Sequence, residues 1–446
     1  MRYLPRLALG SIQPGGRQEC LWALAAALHI RGEAPLLIRS SCRLSAQDAS
    51  QSILGRPSRH LDSWAMSRTD AITALARAAS ERDLALVTGQ FHEPDTLPSN
   101  KPASSLNTLC RWLDLPRVAI VDVRQLAACS LAPLADRYDG LLLDRVRDAG
   151  EAAYWQTTLE ALSGSPVLGW LAETCPSQSH AASPALAANP SRELCDELAA
   201  RLLPTLRIDR LRGLAHRAPP LPTALEPWPL HPAARPFRIA VAFDEAYGCY
   251  YPETLELLEA AGAELCDFSP LRSESLPKET DIVYFGCGHP ERHLAKLAAN
   301  HCLMQSLRCH AARGGRIYAE GSGLAYLCRE IVMPDGSITP FTNLLPVTAR
   351  YVPDPQPAEP AELTFGATSW LAPASVAIRG YRHLGWQLEP RGAMLTYSRD
   401  SSQRLDMLGR GNVIASRILI NLAANRHLLH HFSEPHATVA SSARGE

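Results

Sequence analysis

Arg316-Ile-Tyr-Ala-Glu-Gly-Ser-Gly-Leu-Ala-Tyr-Leu327 is the stretch around which this chain is read. Ile317, Tyr318 and Ala319 form a short apolar run that reads as a buried strand. Gly321-Ser-Gly323 supplies a tight turn, and Leu324, Tyr326, Leu327 and Cys328 begin a helix. Strand, sharp glycine turn and helix are the parts of a nucleophile elbow, which holds one side chain at the mouth of an α/β sheet.

The surrounding sequence supplies a sheet for that elbow. Phe237-Arg-Ile-Ala-Val-Ala-Phe243 reads as a buried strand. Tyr251 to Gly262 reads as a helix, with Pro252 suited to its first turn and Gly262 to its C-cap. Asp281-Ile-Val-Tyr-Phe285 is a further strand, running into Gly286-Cys-Gly-His-Pro-Glu291. A glycine turn after a strand, facing an elbow, is where backbone N–H groups would build an oxyanion hole, here at Gly286, Cys287 and Gly288. Gly411 to Ser416 and Ile418 to Ile420 form the last strand region.

The N-terminal half repeats the α/β alternation. Leu7 to Ser11, Pro35 to Arg39, Asp83 to Gly89, Arg117 to Val123, Gly140 to Asp144 and Pro166 to Leu171 read as strands. Helices are expected at about 19–31, 70–82 and 191–203. Strands alternating with helices predict a doubly wound α/β sheet. The turn Gln13-Pro-Gly-Gly16 between the first strand and helix has the layout of a phosphate-binding loop. That chemistry calls for a lysine and a Ser/Thr hydroxyl at the helix start. Here Gly15 and Gly16 are followed by Arg17, Gln18 and Glu19, so a plain strand-to-helix turn is the better reading. Thr88 stands where an ATPase strand would end in an acidic magnesium ligand. Asp122 reads either as a substrate or nucleotide contact or as a helix cap.

Composition bounds the rest. At 446 residues the chain is too long for one core, and two or three domains are expected. A net charge of −1 gives no global field for nucleic acid or an anionic membrane. The apolar stretch Leu21 to Ile30 is too short to span a bilayer, and the first residues lack the pattern of a signal peptide, so a cytoplasmic protein is expected. Twelve cysteines occur without a C-x-x-C pair, which argues against a zinc site and for buried thiols. His427, His430 and His431 cluster near the C-terminus, where an exposed terminal helix explains them as well as a metal does; no metal site is assigned. Glu173 to Pro190 reads as a flexible loop. Seven prolines between Pro219 and Pro236 mark a boundary. The expected domains are 1–217 and 237–434, with a proline-rich linker over 218–236 and a tail over 435–446.

The chain resembles the cobyrinic acid a,c-diamide synthase family. The stretches that carry the resemblance are Gly55-Arg-Pro-Ser-Arg-His-Leu-Asp62, Tyr250 to Glu264, Gly286 to Glu291, and Ile317-Tyr-Ala-Glu320 with Gly323-Leu324. In that order and spacing they cover nearly the whole chain. The resemblance implies a P-loop-NTPase-like, dethiobiotin-synthetase-like amidoligase domain followed by a flavodoxin-like class I glutamine amidotransferase domain. It also implies a reaction in two halves. A cysteine activated by a histidine releases ammonia from glutamine, and Mg-ATP phosphorylates two acetate carboxylates of a corrin-type tetrapyrrole for ammonia to displace.

Both halves depart from the family pattern. The elbow pattern close to Tyr-Ala-Glu-Cys-Gly-Gly-Leu has Gly321 in place of the cysteine, between Glu320 and Ser322. The family's histidines in a last-strand pattern near Ala-Ser-Tyr-Val-His-Leu-His-Phe fall on Leu419 and Asn421, and its Gly-His-Glu-Phe-His stretch reads Gly380-Tyr-Arg-His-Leu384. Ser322 and Cys287 are conceivable stand-in nucleophiles, neither with an evident paired base. The degenerate nucleotide positions are Gly15, Gly16, Arg17, Gln18 and Thr88, and the family's Lys-Val-Gly-Pro-Asp-Tyr segment reads Ile38-Arg-Ser-Ser-Cys-Arg43. Arg56, Arg59 and Asp62 are substrate-binding candidates. The two arginines suit bidentate pairing with carboxylates, and a structural salt bridge is an equal reading.

The expectation is a tetrapyrrole-metabolism protein that has lost glutaminase and ATPase activity. It would act as a partner subunit of an active amidotransferase relative or tetrapyrrole-pathway enzyme, in a homo- or hetero-oligomer, or as a tetrapyrrole-binding protein, without a cofactor. The alternative is an active ATP-dependent a,c-diamide synthase with non-standard residues, using Mg-ATP and glutamine or free ammonia. A third reading is a scaffold without a small-molecule ligand.

Overall fold

The computed structural model describes residues 3–13, 18–44, 48–79, 83–91, 103–126, 137–173, 189–222, 236–353, 358–397 and 405–433. The chain divides into two compact units, Met1–Trp228 and Pro229–Glu446. Gly15, Gly16, Arg17 and the expected tail from 435 onward lie outside the described residues, as does most of the loop expected between Glu173 and Pro190.

The first unit is built on the strands β1 (Arg6–Ser11), β2 (Ala34–Arg39), β3 (Arg59–His60), β4 (Asp83–Gln90), β5 (Arg117–Asp122), β6 (Gly140–Val146) and β7 (Val167–Ala172). They pair in the order β3-β2-β4-β1-β5-β6-β7, every pairing parallel. Parallel sheets need both faces covered, which is why these strands read as nearly unbroken apolar runs. On β1, Leu7 and Leu9 join a core with the buried face of α1 (Glu19–Ile30) and with Cys195, Leu198 and Leu202 of α6 (Arg192–Leu202). Gly10 faces the other way. A β-carbon there would lie 2.7 Å from Cδ2 of Leu106, so the glycine admits the helix Leu106–Leu113 onto the opposite face. This is the doubly wound, P-loop-NTPase-like arrangement. The two-residue β3 is an edge strand that the sequence reading did not contain. Ala218 and Leu221, inside the stretch expected to be linker, are buried.

The second unit opens with β8 (Phe237–Ala242), β9 (Tyr247–Cys249), α8 (Pro252–Ala260), β10 (Ala263–Phe268), β11 (Ile282–Phe285), β12 (Cys287–Gly288) and β13 (Arg316–Glu320). After β13 come the short helix Gly323–Leu327 and, later, β18 (Ala377–Arg382), β20 (Leu395–Thr396), β21 (Met407–Arg410), β22 (Val413–Ser416) and β23 (Ile418–Leu419). The main sheet runs β10-β8-β11-β13-β22, all parallel, and closes with antiparallel β21 and β20. The five parallel strands follow the flavodoxin-like order 2-1-3-4-5. The elbow is therefore at the carboxyl end of a central strand, where open α/β sheets bind ligands. Two short strand pairings accompany the main sheet: β12 pairs antiparallel with β9, and β18 pairs antiparallel with β23.

Among the described residues no helix is long and apolar enough to cross a membrane. His430 and His431 sit together in the helix Leu429–Ser433, ring centroids 3.7 Å apart. Among the described residues no group of three or more His, Cys, Asp or Glu is placed to hold a metal.

Candidate functional site

Strand β13 delivers Glu320 and Gly321 to the sheet's carboxyl end. Gly321 adopts φ +58°, the left-handed region that glycine enters without cost. A β-carbon on Gly321 would stand 2.7 Å from Leu419 Cδ2, 3.0 Å from Cys287 Sγ and 3.3 Å from Cys287 Cβ. The apex of the elbow is thus occupied by two side chains arriving from neighbouring segments. Leu419 is 2 % exposed, and an apolar residue fills the place where the resemblance expects an imidazole. Asn421 turns elsewhere: its Oδ1 accepts from Ala423 N–H at 2.9 Å and its carbonyl from Asn425 Nδ2 at 3.0 Å, closing the turn after β23.

The glycine loop beside the elbow is bonded to its own surroundings. Gly286 N–H donates to Tyr250 Oη at 3.0 Å, and Gly288 N–H donates to Ser322 Oγ at 2.7 Å. Ser322 Oγ also lies 2.8 Å from the Gly288 carbonyl and 3.5 Å from Cys287 Sγ. Both glycine N–H groups that an oxyanion would need are engaged inside the protein. Ser322 is 1 % exposed, so its hydroxyl fastens the loop to the elbow rather than facing solvent.

Cys287 has an imidazole partner, which corrects the expectation that it lacks one. His383, the residue after β18, hydrogen-bonds to its thiol. Burial pushes the Cys287 thiol up. The charge and hydrogen bond of His383, joined by the Ser322 hydroxyl, outweigh that and bring it down to about 6. Burial of His383 favours its neutral form, yet the facing thiolate raises it above the usual imidazole range. Elsewhere burial prevails: the thiols of Cys20 and Cys328 are pushed up, and Cys110 reaches about 12 in spite of the nearby Arg117. His383 reaches the site because β18 pairs with β23, Tyr381 opposite Leu419, and its N–H donates to the Arg417 carbonyl at 2.7 Å.

Glu320 lies behind the apex and is completely buried. Burial pushes its carboxyl up to about 7, against donors that favour the carboxylate: Tyr284 Oη at 2.6 Å, Ile420 N–H at 3.1 Å and Tyr318 Oη at 3.2 Å.

In the first unit, most of the described residues expected at a nucleotide or substrate site are engaged in structure. Gln18 is the residue before α1 and makes no side-chain cap to it. Thr88 Oγ1 donates to the Ile38 carbonyl at 3.1 Å. Asp122 accepts from Arg124 N–H at 2.9 Å, the cap of the short turn after β5, and pairs with Arg145 at 2.5 Å. Asp62 is wholly buried. Its Oδ2 accepts from Cys42 N–H at 2.8 Å, and its Oδ1 from Trp64 and Ala65 N–H at 2.9 Å each. Arg56 Nη2 donates to the Pro35 carbonyl at 3.0 Å, and Arg59 lies on β3, half-buried.

Residues 238–385 match the CobB/CobQ-like glutamine amidotransferase domain, a span that holds both the elbow and His383. The hydrogenobyrinate a,c-diamide synthase of Pseudomonas aeruginosa is 32% identical over 309 residues, covering 66% of this chain and 67% of that protein. The chain belongs to the cobyrinate a,c-diamide synthase family. Within that family, the cobyrinate a,c-diamide synthase of Syntrophotalea carbinolica is 28% identical over 445 residues, 94% of this chain and 96% of the relative. That of Dehalococcoides mccartyi (strain CBDB1) is 32% identical over 304 residues, and there the match spans 66% of the relative's length. A family whose members are named for making diamides is thus represented here by a chain whose elbow carries glycine.

Proposed function

We propose that this a,c-diamide synthase family member serves tetrapyrrole metabolism without hydrolysing glutamine at its elbow, as the partner subunit of an active amidotransferase relative or as a tetrapyrrole-binding protein. The observation that carries this reading is the filled apex. Gly321 offers no nucleophile, and Leu419 and Cys287 take up the space that a side chain there would need. The engaged N–H groups of Gly286 and Gly288 point the same way, because acyl transfer depends on donors aimed at the developing oxyanion. Asp122, Thr88 and Asp62 likewise spend their polar atoms on the fold, which supports a first unit that does not depend on Mg-ATP turnover.

The test combines a rate with a capture. The full chain is assayed for glutamine-dependent ammonia release, alone and with Mg-ATP and cobyrinate or hydrogenobyrinate, and is purified by affinity from its own host. No ammonia above background, with an amidotransferase relative, a tetrapyrrole-pathway enzyme or a bound tetrapyrrole recovered in stoichiometric amount, supports the proposal. Ammonia release that disappears on Cys287→Ala would overturn it in favour of an active synthase with a relocated nucleophile.

A further inference from the structure

The proposed function uses Cys287 only to fill the apex and leaves the chemistry of its thiol aside, and that thiol has a second cysteine across from it. Cys249, the last residue of β9, and Cys287, the first of β12, are directly opposed Cα partners in the antiparallel ladder. Opposed antiparallel residues share a face, with Cα atoms about 4.5–5.5 Å apart, and a disulfide spans about 4.4–6.8 Å. Neither cysteine is in a disulfide in the structure. The ladder shifts register between Cys287 and Gly288, so Gly248 is an extra residue in β9, a bulge that gives the pair room to adjust.

We propose that Cys287 is a hydroperoxide-reactive thiol, with His383 as its proton donor and Cys249 as the resolving thiol that closes a cross-strand disulfide.

The surroundings of Cys287 suit oxidation better than acylation. Attack on a carboxamide needs oxyanion donors, and the N–H groups of Gly286 and Gly288 are taken. Attack on a peroxide needs a thiolate and a proton for the leaving oxygen. The groups acting on the pair are His383 and the Ser322 hydroxyl on the thiol, Glu291 and Arg417 on the imidazole, and Glu320 behind the apex. Cys287 is 8 % exposed, while Cys249 and His383 are half-buried.

The chemistry balances. The Cys287 thiolate attacks the terminal oxygen of ROOH, and the O–O bond breaks with its electron pair on RO⁻. That oxygen takes the proton of the His383 imidazolium and leaves as ROH. Sulfur, oxidised by two electrons, is now a sulfenic acid. Cys249, losing its proton, attacks Cys287 Sγ. The S–O bond breaks, hydroxide leaves with that proton as water, and the S–S bond is formed. A dithiol reverses it.

The experiment treats the reduced full chain with one equivalent of hydrogen peroxide at pH 7, then blocks the remaining thiols and maps the peptides by mass spectrometry. The expected product is a linkage between the Cys249 and Cys287 peptides, reversed by dithiothreitol. In Cys249→Ser, Cys287 should be trapped by dimedone as its sulfenic acid. In His383→Gln, with folding verified by thermal melting, the loss of the Cys287 thiol should slow by about tenfold or more, because the thiolate fraction at neutral pH collapses. Oxidation of Cys287 no faster than that of the exposed Cys302, a linkage that bypasses Cys249, or an unchanged rate in His383→Gln would each overturn the proposal.

Discussion

Leu419 places Cδ2 2.7 Å from the point that a β-carbon on Gly321 would occupy. Contact that close is shorter than packed carbons tolerate, so the two residues specify each other: the leucine can lie there only because the apex is a glycine. A cysteine put back at the apex meets two costs. The left-handed backbone costs a residue with a β-carbon about 1–2 kcal/mol, and crowding a packed site costs about 1–3 kcal/mol. Gly321→Cys is therefore expected to destabilise the second unit by the sum of both, read by urea unfolding. Adding Leu419→Ala should recover the crowding share and leave the backbone share. Equal stability of Gly321→Cys and the wild type would show that the apex is not filled in solution.

Ser322 holds the loop to the elbow through Gly288. Replacing it with alanine leaves a part-buried N–H and a part-buried carbonyl of Gly288 without that hydroxyl, at a cost of about 1 kcal/mol. The same change removes one of the hydrogen bonds that favour the Cys287 thiolate. Ser322→Ala should thus lower the melting temperature and raise the pH at which thiolate absorbance near 240 nm develops. A pH midpoint that stays put while stability falls would confine Ser322 to a structural role.

How much of this was legible beforehand follows from sequence distance. The elbow, its missing side chain and the flavodoxin-like sheet could be read because strand, turn and helix are consecutive residues. Cys287 was visible as a stand-in because it interrupts a glycine run. His383 was not visible as its partner: it lies just beyond the end of β18 and reaches the thiol only through the pairing of Tyr381 with Leu419, a register that no local pattern encodes. Its one signal was a histidine inside the altered Gly380 to Leu384 stretch. Cys249 carries no local signal for a similar reason, since its opposition to Cys287 depends on a bulged two-strand ladder. In the first unit, Asp62 stood out within the resemblance, but nothing in the sequence told a substrate contact from a carboxylate that receives three backbone N–H groups.

Glu320 makes stability depend on pH. Its folded carboxyl titrates near 7 against an ordinary value of 4.5, so the folded state holds the proton more tightly than the unfolded chain. The contribution is full below 4.5 and is lost as pH rises through 7, up to about 3 kcal/mol. Cys287 acts in the opposite direction, its contribution being lost as pH falls through 6. The difference between the wild type and Glu320→Gln isolates the carboxyl. Urea unfolding from pH 4.5 to 8 should show the wild type losing more stability than the variant between pH 4.5 and about 7, with the difference levelling off above that. Parallel curves for the two proteins would mean that Glu320 is ionised throughout.

Asp62 separates a structural role from a binding one in the first unit. Its carboxylate ties the segment after β2, through Cys42, to the turn at Trp64 and Ala65, with no exposed surface. An asparagine keeps the shape but turns an N–H₂ group toward one of these donors, so one buried N–H loses its acceptor and faces another donor. Each such loss costs about 1–3 kcal/mol, and Asp62→Ala, which strands all three, should cost more than Asp62→Asn. The readout is unfolding of the first unit together with the binding of cobyrinate or hydrogenobyrinate by fluorescence titration. A stepwise fall in stability from wild type to asparagine to alanine assigns the carboxylate to the fold. Unchanged stability with weakened tetrapyrrole binding would assign it to the ligand.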